Sequence, residues 1–161
     1  MLHHVSVGVR DMERAAKFYD AVLATLGYRR VADYSPHAIG YGSDQPEFWI
    51  GAPHDGGPMS AGNGVHMGFT AATKAQVDKF HAVALAHGAS NNGEPGPRPD
   101  YGPEYYGAFV YDLDGNKIEA TLNPPPKPAR KAAARKAPAK KAAKKKAPAK
   151  KAAKKAKKAR R

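Results

Sequence analysis

The sequence predicts an α+β protein built from two βαβββ modules in one chain and followed by a disordered basic tail. Three observations carry that expectation. A strand-then-helix pattern that starts around His4 returns at His66, 62 residues later. A tight hairpin at Asp114-Gly115-Asn116 closes the second half. Charge then splits along the chain: residues 127–161 hold 18 Lys and Arg and no acid, while residues 1–126 hold 9 bases against all 14 acids, a net of −5. The overall charge of +13 therefore belongs to the tail. The expected boundaries are 1–60 and 61–123 for the modules, which together make one domain, and 124–161 for the tail.

The elements follow in order. Residues 3–9 alternate as a half-buried strand does. Asp11 is a suitable N-cap, and Ala15, Phe18, Tyr19, Val22, Leu23 and Leu26 recur at helical spacing up to a stop at Gly27. From Tyr28 to Ile50 several short strands are broken by Ser35-Pro36, Gly40, Gly42 and Gln45-Pro46, and residues 51–64 read as a connecting loop. The pattern then restarts. Val65 to Phe69 is strand-like, Thr73 caps a helix, and Val77, Phe80, His81, Ala84 and Leu85 form its apolar stripe before Gly88. The 62-residue offset carries His4 onto His66, Asp11 onto Thr73 and Lys17-Phe18 onto Lys79-Phe80, the mark of an internal duplication. A Gly/Pro-rich insert from Gly93 to Pro103 precedes the closing hairpin, where Asp-Gly between two apolar runs is a strong turn signal.

Alternation on the last strand points Ile118 and Ala120 one way and Lys117, Glu119 and Thr121 the other. A carboxylate there needs a partner, and the duplication offers His4 and His66 from equivalent first strands. A lone strand histidine is more often a hydrogen-bonded core residue than a ligand. Two at equivalent positions plus a carboxylate suit a divalent metal with open coordination positions. His3 points opposite to His4 on an alternating strand, and His81 and His87 fall on the second helix or its end. No cysteine occurs, which excludes disulfides, thiolate metal sites and cysteine nucleophiles. No apolar run has transmembrane length and the N-terminus lacks a signal pattern, so the expected location is cytoplasmic.

Together, His4-Val5, Asp11-Met12-Glu13-Arg14, Phe18-Tyr19, Leu26-Gly27-Tyr28, the His66 strand and the run from Asp112 through Asp114-Gly115-Asn116 to Ile118-Glu119 resemble the vicinal oxygen chelate superfamily. That group includes glyoxalase I, extradiol dioxygenases, and fosfomycin- and bleomycin-resistance proteins. The resemblance spans about residues 1–123 and implies curved sheets enclosing a cleft. It carries over His4, His66 and Glu119 as metal ligands, with Glu119 also the catalytic carboxylate. The implied ion is ferrous iron, zinc, nickel or manganese, and the implied activity that of a metal-dependent lyase or dioxygenase. A glyoxalase I would carry a second Glu where alignment puts Trp49, and Trp cannot ligate. Glu47, on the same strand face, is the substitute if the register slips. The alternative is a metal-free protein that sequesters a small ligand in the manner of bleomycin-resistance proteins.

Around the expected cleft His37, Tyr41, Trp49, Tyr105 and Tyr106 offer aromatic walls, and Arg98 offers a bidentate contact to an anionic group. The expected ligand is therefore a small, anionic organic molecule, and a second copy of the chain is a candidate partner. The tail, built from Lys-Ala-Ala-Lys-Lys and Lys-Ala-Pro-Ala-Lys units, has little apolar surface to bury and strong self-repulsion. Its composition resembles linker-histone tails. Lys140, Lys141, Lys144, Lys145 and Lys146 lie between its later prolines, with Lys150, Lys151, Lys154 and Lys155 beyond. These are candidates to bind nucleic-acid phosphates non-specifically, which would associate the protein with the nucleoid. Nothing in the tail suits a membrane anchor.

Overall fold

A computed structural model describes residues 2–123, all within one compact unit. The tail and its lysines lie outside the described residues. The first module runs β1 (Val5–Gly8), α1 (Met12–Ala24), β2 (Arg29–Tyr34), β3 (Ala38–Gly42) and β4 (Phe48–Gly51). The second runs β5 (His66–Thr70), α2 (Lys74–Ala86), β6 (Ser90–Pro97), a short 3₁₀ turn (Pro99–Tyr101), β7 (Tyr106–Tyr111) and β8 (Lys117–Leu122). Each module forms its own four-stranded mixed sheet, in the orders β1-β4-β3-β2 and β5-β8-β7-β6. The two orders are the same once the modules are superposed.

The helices begin where their caps put them. Asp11 accepts from the Arg14 N–H, and Thr73 with Gln76 forms a complete capping box. Both end at glycines with positive φ, Gly27 at 89° and Gly88 at 95°, a conformation that costs a residue with a Cβ. The two helices occupy the same span at an offset of 62 residues, from Met12–Ala24 to Lys74–Ala86. Their buried faces, with Phe18, Tyr19, Val22 and Leu23 on α1 and Val77, Phe80 and Ala84 on α2, meet the apolar sides of the sheets in a single core. None of the helices among the described residues is long and apolar enough to cross a membrane.

The expected insert differs from what forms. Strand β6 continues through Gly93 and Pro95 to Pro97, with its register against β7 shifting twice. It is an edge strand bonded only to β7, and an edge tolerates proline because one side of its backbone has no ladder to serve.

The β7–β8 turn does more than reverse the chain. The Asp112 carboxylate, 6 % exposed, accepts from the Asp114 and Asn116 N–H groups at 2.9 and 2.7 Å, from Asn116 Nδ2 at 2.9 Å, and from the Tyr19 hydroxyl on α1 at 2.6 Å. Asn116 Nδ2 also reaches the Gly8 carbonyl, and Asp114 pairs with Arg10 at 3.3 Å. The turn thus clasps the β1–α1 junction of the first module. Burial raises the Tyr19 hydroxyl well above its ordinary value, and the Asp112 charge raises it further, so Tyr19 remains a donor.

Candidate functional site

Each sheet has one face covered by its own helix and one face turned away from it. On the second sheet, the ladder puts Glu119 opposite Gly68 on β5 and Phe109 on β7. Directly opposed residues project to the same side, so this face carries His66, Lys117, Glu119, Gly107 and Phe109. Glu119 is only 2 % exposed. Its Oε1 accepts from the Tyr105 hydroxyl at 2.6 Å, and its Oε2 lies 3.3 Å from His66 Nε2. Room for the carboxylate comes from its neighbours: a Cβ on Gly107 would stand 2.8 Å from Oε1, and one on Gly68 would stand 3.5 Å from Oε2. Burial, and then the hydrogen bond to Glu119, raise the Tyr105 hydroxyl, which keeps it protonated and donating.

Two cations complete this face. The Arg98 guanidinium lies 5.5 Å and the Lys117 ammonium 5.0 Å from the Phe109 ring centroid. Arg98 is fastened by Nη2 to the Glu94 carbonyl at 2.7 Å and by Nη1 to the Pro97 carbonyl at 3.2 Å. Neither cation touches Glu119. His66 and Lys117 also border a hollow of about 360 Å³ against residues 61–65.

The corresponding face of the first sheet holds a cleft of about 590 Å³ bordered by His4, Ser6, Trp49 and the loop through Pro53 and Met59. Ser6 pairs with Trp49 on β4 as Gly68 pairs with Glu119 on β8. Ser6 and Gly68 are 62 residues apart, so the ladder gives Trp49 the place in its module that Glu119 has in the other. The indole lies over Gly40, where a Cβ would approach it to 3.1 Å, and stacks on Tyr34 with centroids 6.0 Å apart and planes at 15°. Glu47 is exposed just before β4, beside the cavity near Tyr28 and Met67.

Of the three expected ligands, the structure brings His66 and Glu119 together and leaves His4 apart from them. Among the described residues no three His, Cys, Asp or Glu side chains gather around one point. The reason is topological, because the two first strands lie in separate sheets. His3 and His4 precede the first residue of β1, so strand alternation does not separate them, and their Nδ1 atoms lie 2.8 Å apart.

Other expected wall residues need correction. Tyr41 is 1 % exposed and pairs with Phe48, out of phase with Trp49; it packs on Tyr19 and Phe48 under α1. Tyr106 likewise faces its helix, donating to Asp78 at 2.8 Å with the Lys74 ammonium 5.1 Å from its ring centroid. Tyr105 lies just before β7 and donates to Glu119, whereas Tyr106, the first residue of β7, donates to Asp78 on α2. His37 sits exposed in the β2–β3 turn. Lys117 shares the Glu119 face as alternation expects, whereas Phe109 and Gly107 went unrecognised, because only the β7–β8 register puts them opposite Glu119 and Thr121.

A carboxylate oxygen and an imidazole nitrogen 3.3 Å apart, in a pit where no Lys or Arg among the described residues pairs with the acid, fit two donors to a divalent cation. One chain supplies those two and holds the third expected donor elsewhere.

Comparison with known proteins agrees with this plan. A glyoxalase/bleomycin resistance protein from Albidiferax ferrireducens T118 is 43% identical, with a TM-score of 0.68 over 76% of this chain and 98% of that one. At the level of fold alone, a glyoxalase/bleomycin resistance protein/dioxygenase family enzyme from Burkholderia phytofirmans PsJN (23% identity, TM-score 0.59, 75% and 97% covered) is also similar. So is the fosfomycin resistance protein FosX from Mesorhizobium loti (19% identity, TM-score 0.56, 77% and 92% covered). No curated protein matches. The family profile itself matches residues 1–120, across both modules and the whole of the Glu119 face, and the chain accordingly belongs to the Glyoxalase/Bleomycin resistance protein/Dioxygenase superfamily.

Proposed function

We propose that this chain is a metal-dependent enzyme of the glyoxalase or dioxygenase type, acting on a small anionic organic molecule. Its site joins the Glu119 face of one copy to the His4 face of another. The observation that carries the reading is the buried Glu119 carboxylate, set in a glycine-walled pit with His66 beside one oxygen. A buried acid with no Lys or Arg partner among the described residues is costly unless something positive completes it. His66, Glu119 and a second copy's His4 would hold the ion, which when bound supplies Lewis-acid polarisation of a substrate oxygen. Arg98 and Lys117, both near the Phe109 ring, attract the anionic end of the substrate.

Trp49 favours a second reading, a metal-free binding protein. Where the second module carries an acid, the first carries a flat indole stacked on Tyr34 over Gly40, a surface suited to holding a planar ligand.

Metal analysis of protein purified without chelators separates the two readings. The enzyme reading expects one divalent ion per chain, lost in Glu119→Ala and in His4→Ala. Mixing those two variants should restore one site in each mixed pair of chains, because one supplies His4 and the other supplies His66 and Glu119. Unchanged metal content in Glu119→Ala overturns the enzyme reading, and failure of the mixture to recover metal overturns assembly across copies. For the tail, the reading remains non-specific binding to nucleic-acid phosphates through its 18 cations.

A further inference from the structure

The geometry points to Tyr105 as a positioning residue that commits Glu119 Oε1 and leaves only Oε2 for a cation, so that the site favours first-row transition metals over Ca²⁺ and Mg²⁺. The inference rests on the metal-site reading above and adds to it the determinant of which cation is taken. Glu119 has two oxygens in unlike surroundings. Oε1 accepts a 2.6 Å hydrogen bond from Tyr105, whereas Oε2 faces His66 Nε2 at 3.3 Å. Gly107 makes room for this pairing, since a Cβ there would stand 2.8 Å from Oε1 and 3.2 Å from Tyr105 Cε1. Tyr105 is itself braced, its ring meeting Tyr101 edge-on with centroids 5.3 Å apart.

The consequence is chemical. Ca²⁺ takes six to eight oxygen ligands and draws on carboxylates with both oxygens, and Mg²⁺ gives up its water shell reluctantly. One carboxylate oxygen beside an imidazole is a mixed N/O donor set, which suits Fe²⁺, Co²⁺, Ni²⁺ and Zn²⁺. A hydroxyl hydrogen-bonded to the oxygen that does not face the ion holds the ligand in one orientation, and loss of such a partner typically costs about 10–100-fold in affinity. Tyr105 acts through Glu119 and is separated in sequence from the histidines, so no ligand motif identifies it.

The test uses the full chain and three proteins: the unmodified chain, Tyr105→Phe and Glu119→Gln. Co²⁺ and Ca²⁺ affinities are measured by calorimetry, and the visible spectrum of the Co²⁺-loaded protein reports coordination. Tyr105→Phe should keep Co²⁺ binding, lower the preference for Co²⁺ over Ca²⁺ about tenfold or more, and weaken the visible absorption as Glu119 becomes free to use both oxygens. Infrared difference spectra of the unmodified chain, Co²⁺-loaded minus metal-free, should show the carboxylate band splitting of one-oxygen ligation. That measurement needs no variant to fold. A Tyr105→Phe protein with the same metal preference and spectrum, or a two-oxygen band splitting in the unmodified chain, overturns the role of Tyr105. Undiminished Co²⁺ affinity in Glu119→Gln overturns instead the metal-site reading on which it rests.

Discussion

Replacing Tyr19 by Phe removes one oxygen from the clasp between the two modules and should destabilise the protein measurably. The hydroxyl donates at 2.6 Å to Asp112 Oδ2, inside a core where Tyr19 has no exposed surface. Hydrogen bonds to charged groups are worth about 1.5–3 kcal/mol net, and removing the donor leaves part of a buried carboxylate unsatisfied. Asp112 keeps three donors in the variant, one of them, Asn116 Nδ2, on the same oxygen at 2.9 Å. That sets the expected loss near the middle of the range, about 2 kcal/mol. For an ordered domain of this size Tm should fall by roughly 6–10 °C. Tyr41→Phe is the internal control. Its hydroxyl reaches the Ala16 carbonyl only at 3.4 Å, at the outer edge of hydrogen bonding, and has the partly exposed Asp20 carboxylate and Arg30 as further neighbours, so the loss should be smaller, about 1 kcal/mol or less. Urea titrations of both variants, with unchanged m-values, provide the comparison. Equal losses, or a Tyr19→Phe cost under about 0.5 kcal/mol, would refute the assignment of the clasp. The same pair has a pH signature. The folded hydroxyl of Tyr19 ionises above its unfolded value, so its contribution is complete below about pH 10 and is lost as pH rises toward the folded value. Tyr19→Phe should therefore lose less stability on alkaline titration than the unmodified chain.

Gly40→Ala tests the aromatic wall: the new Cβ would stand 2.7 Å from Pro46 Cβ and 3.1 Å from the Trp49 indole, overpacking by about 1–3 kcal/mol. Trp49 is the chain's one tryptophan, so its emission should shift as it leaves Tyr34, and unaltered emission would place the ring elsewhere. For the tail, if half of its 18 cations engage DNA, log affinity should fall with log salt at a slope of roughly −8. Binding should then weaken about 10³–10⁵-fold between 50 and 200 mM salt. Deletion of residues 124–161 should abolish it, and sequence-selective binding that survives deletion would move the nucleic-acid site to the folded domain.

Much of this was legible in the chain. Caps, stripes and glycine stops specify both helices because each is a local signal, and the 62-residue repeat specifies the second module from the first. The pairing of His66 with Glu119 followed from repeat and alternation together. What stayed hidden depends on partners distant in sequence. Tyr41 and Tyr106 look like wall residues until the ladder assigns their faces. The meeting of Asp112 with Tyr19 joins residues 93 positions apart, and nothing local at either one announces it. His4 was expected beside His66 because equivalent strands suggest proximity, yet equivalence fixes only the role within a module. It says nothing about whether two separate sheets in one chain turn those strands toward each other.

The empty space at Gly107 has an evolutionary reading. An acid can be gained at the Glu119 position by a change in one codon, and with no side chain at position 107 it settles into the sheet without displacing its neighbours. A side chain at position 107 would push the end of the carboxylate aside, and with it the oxygen that Tyr105 holds. Substitution at position 107 therefore alters the aim of an acid it never replaces.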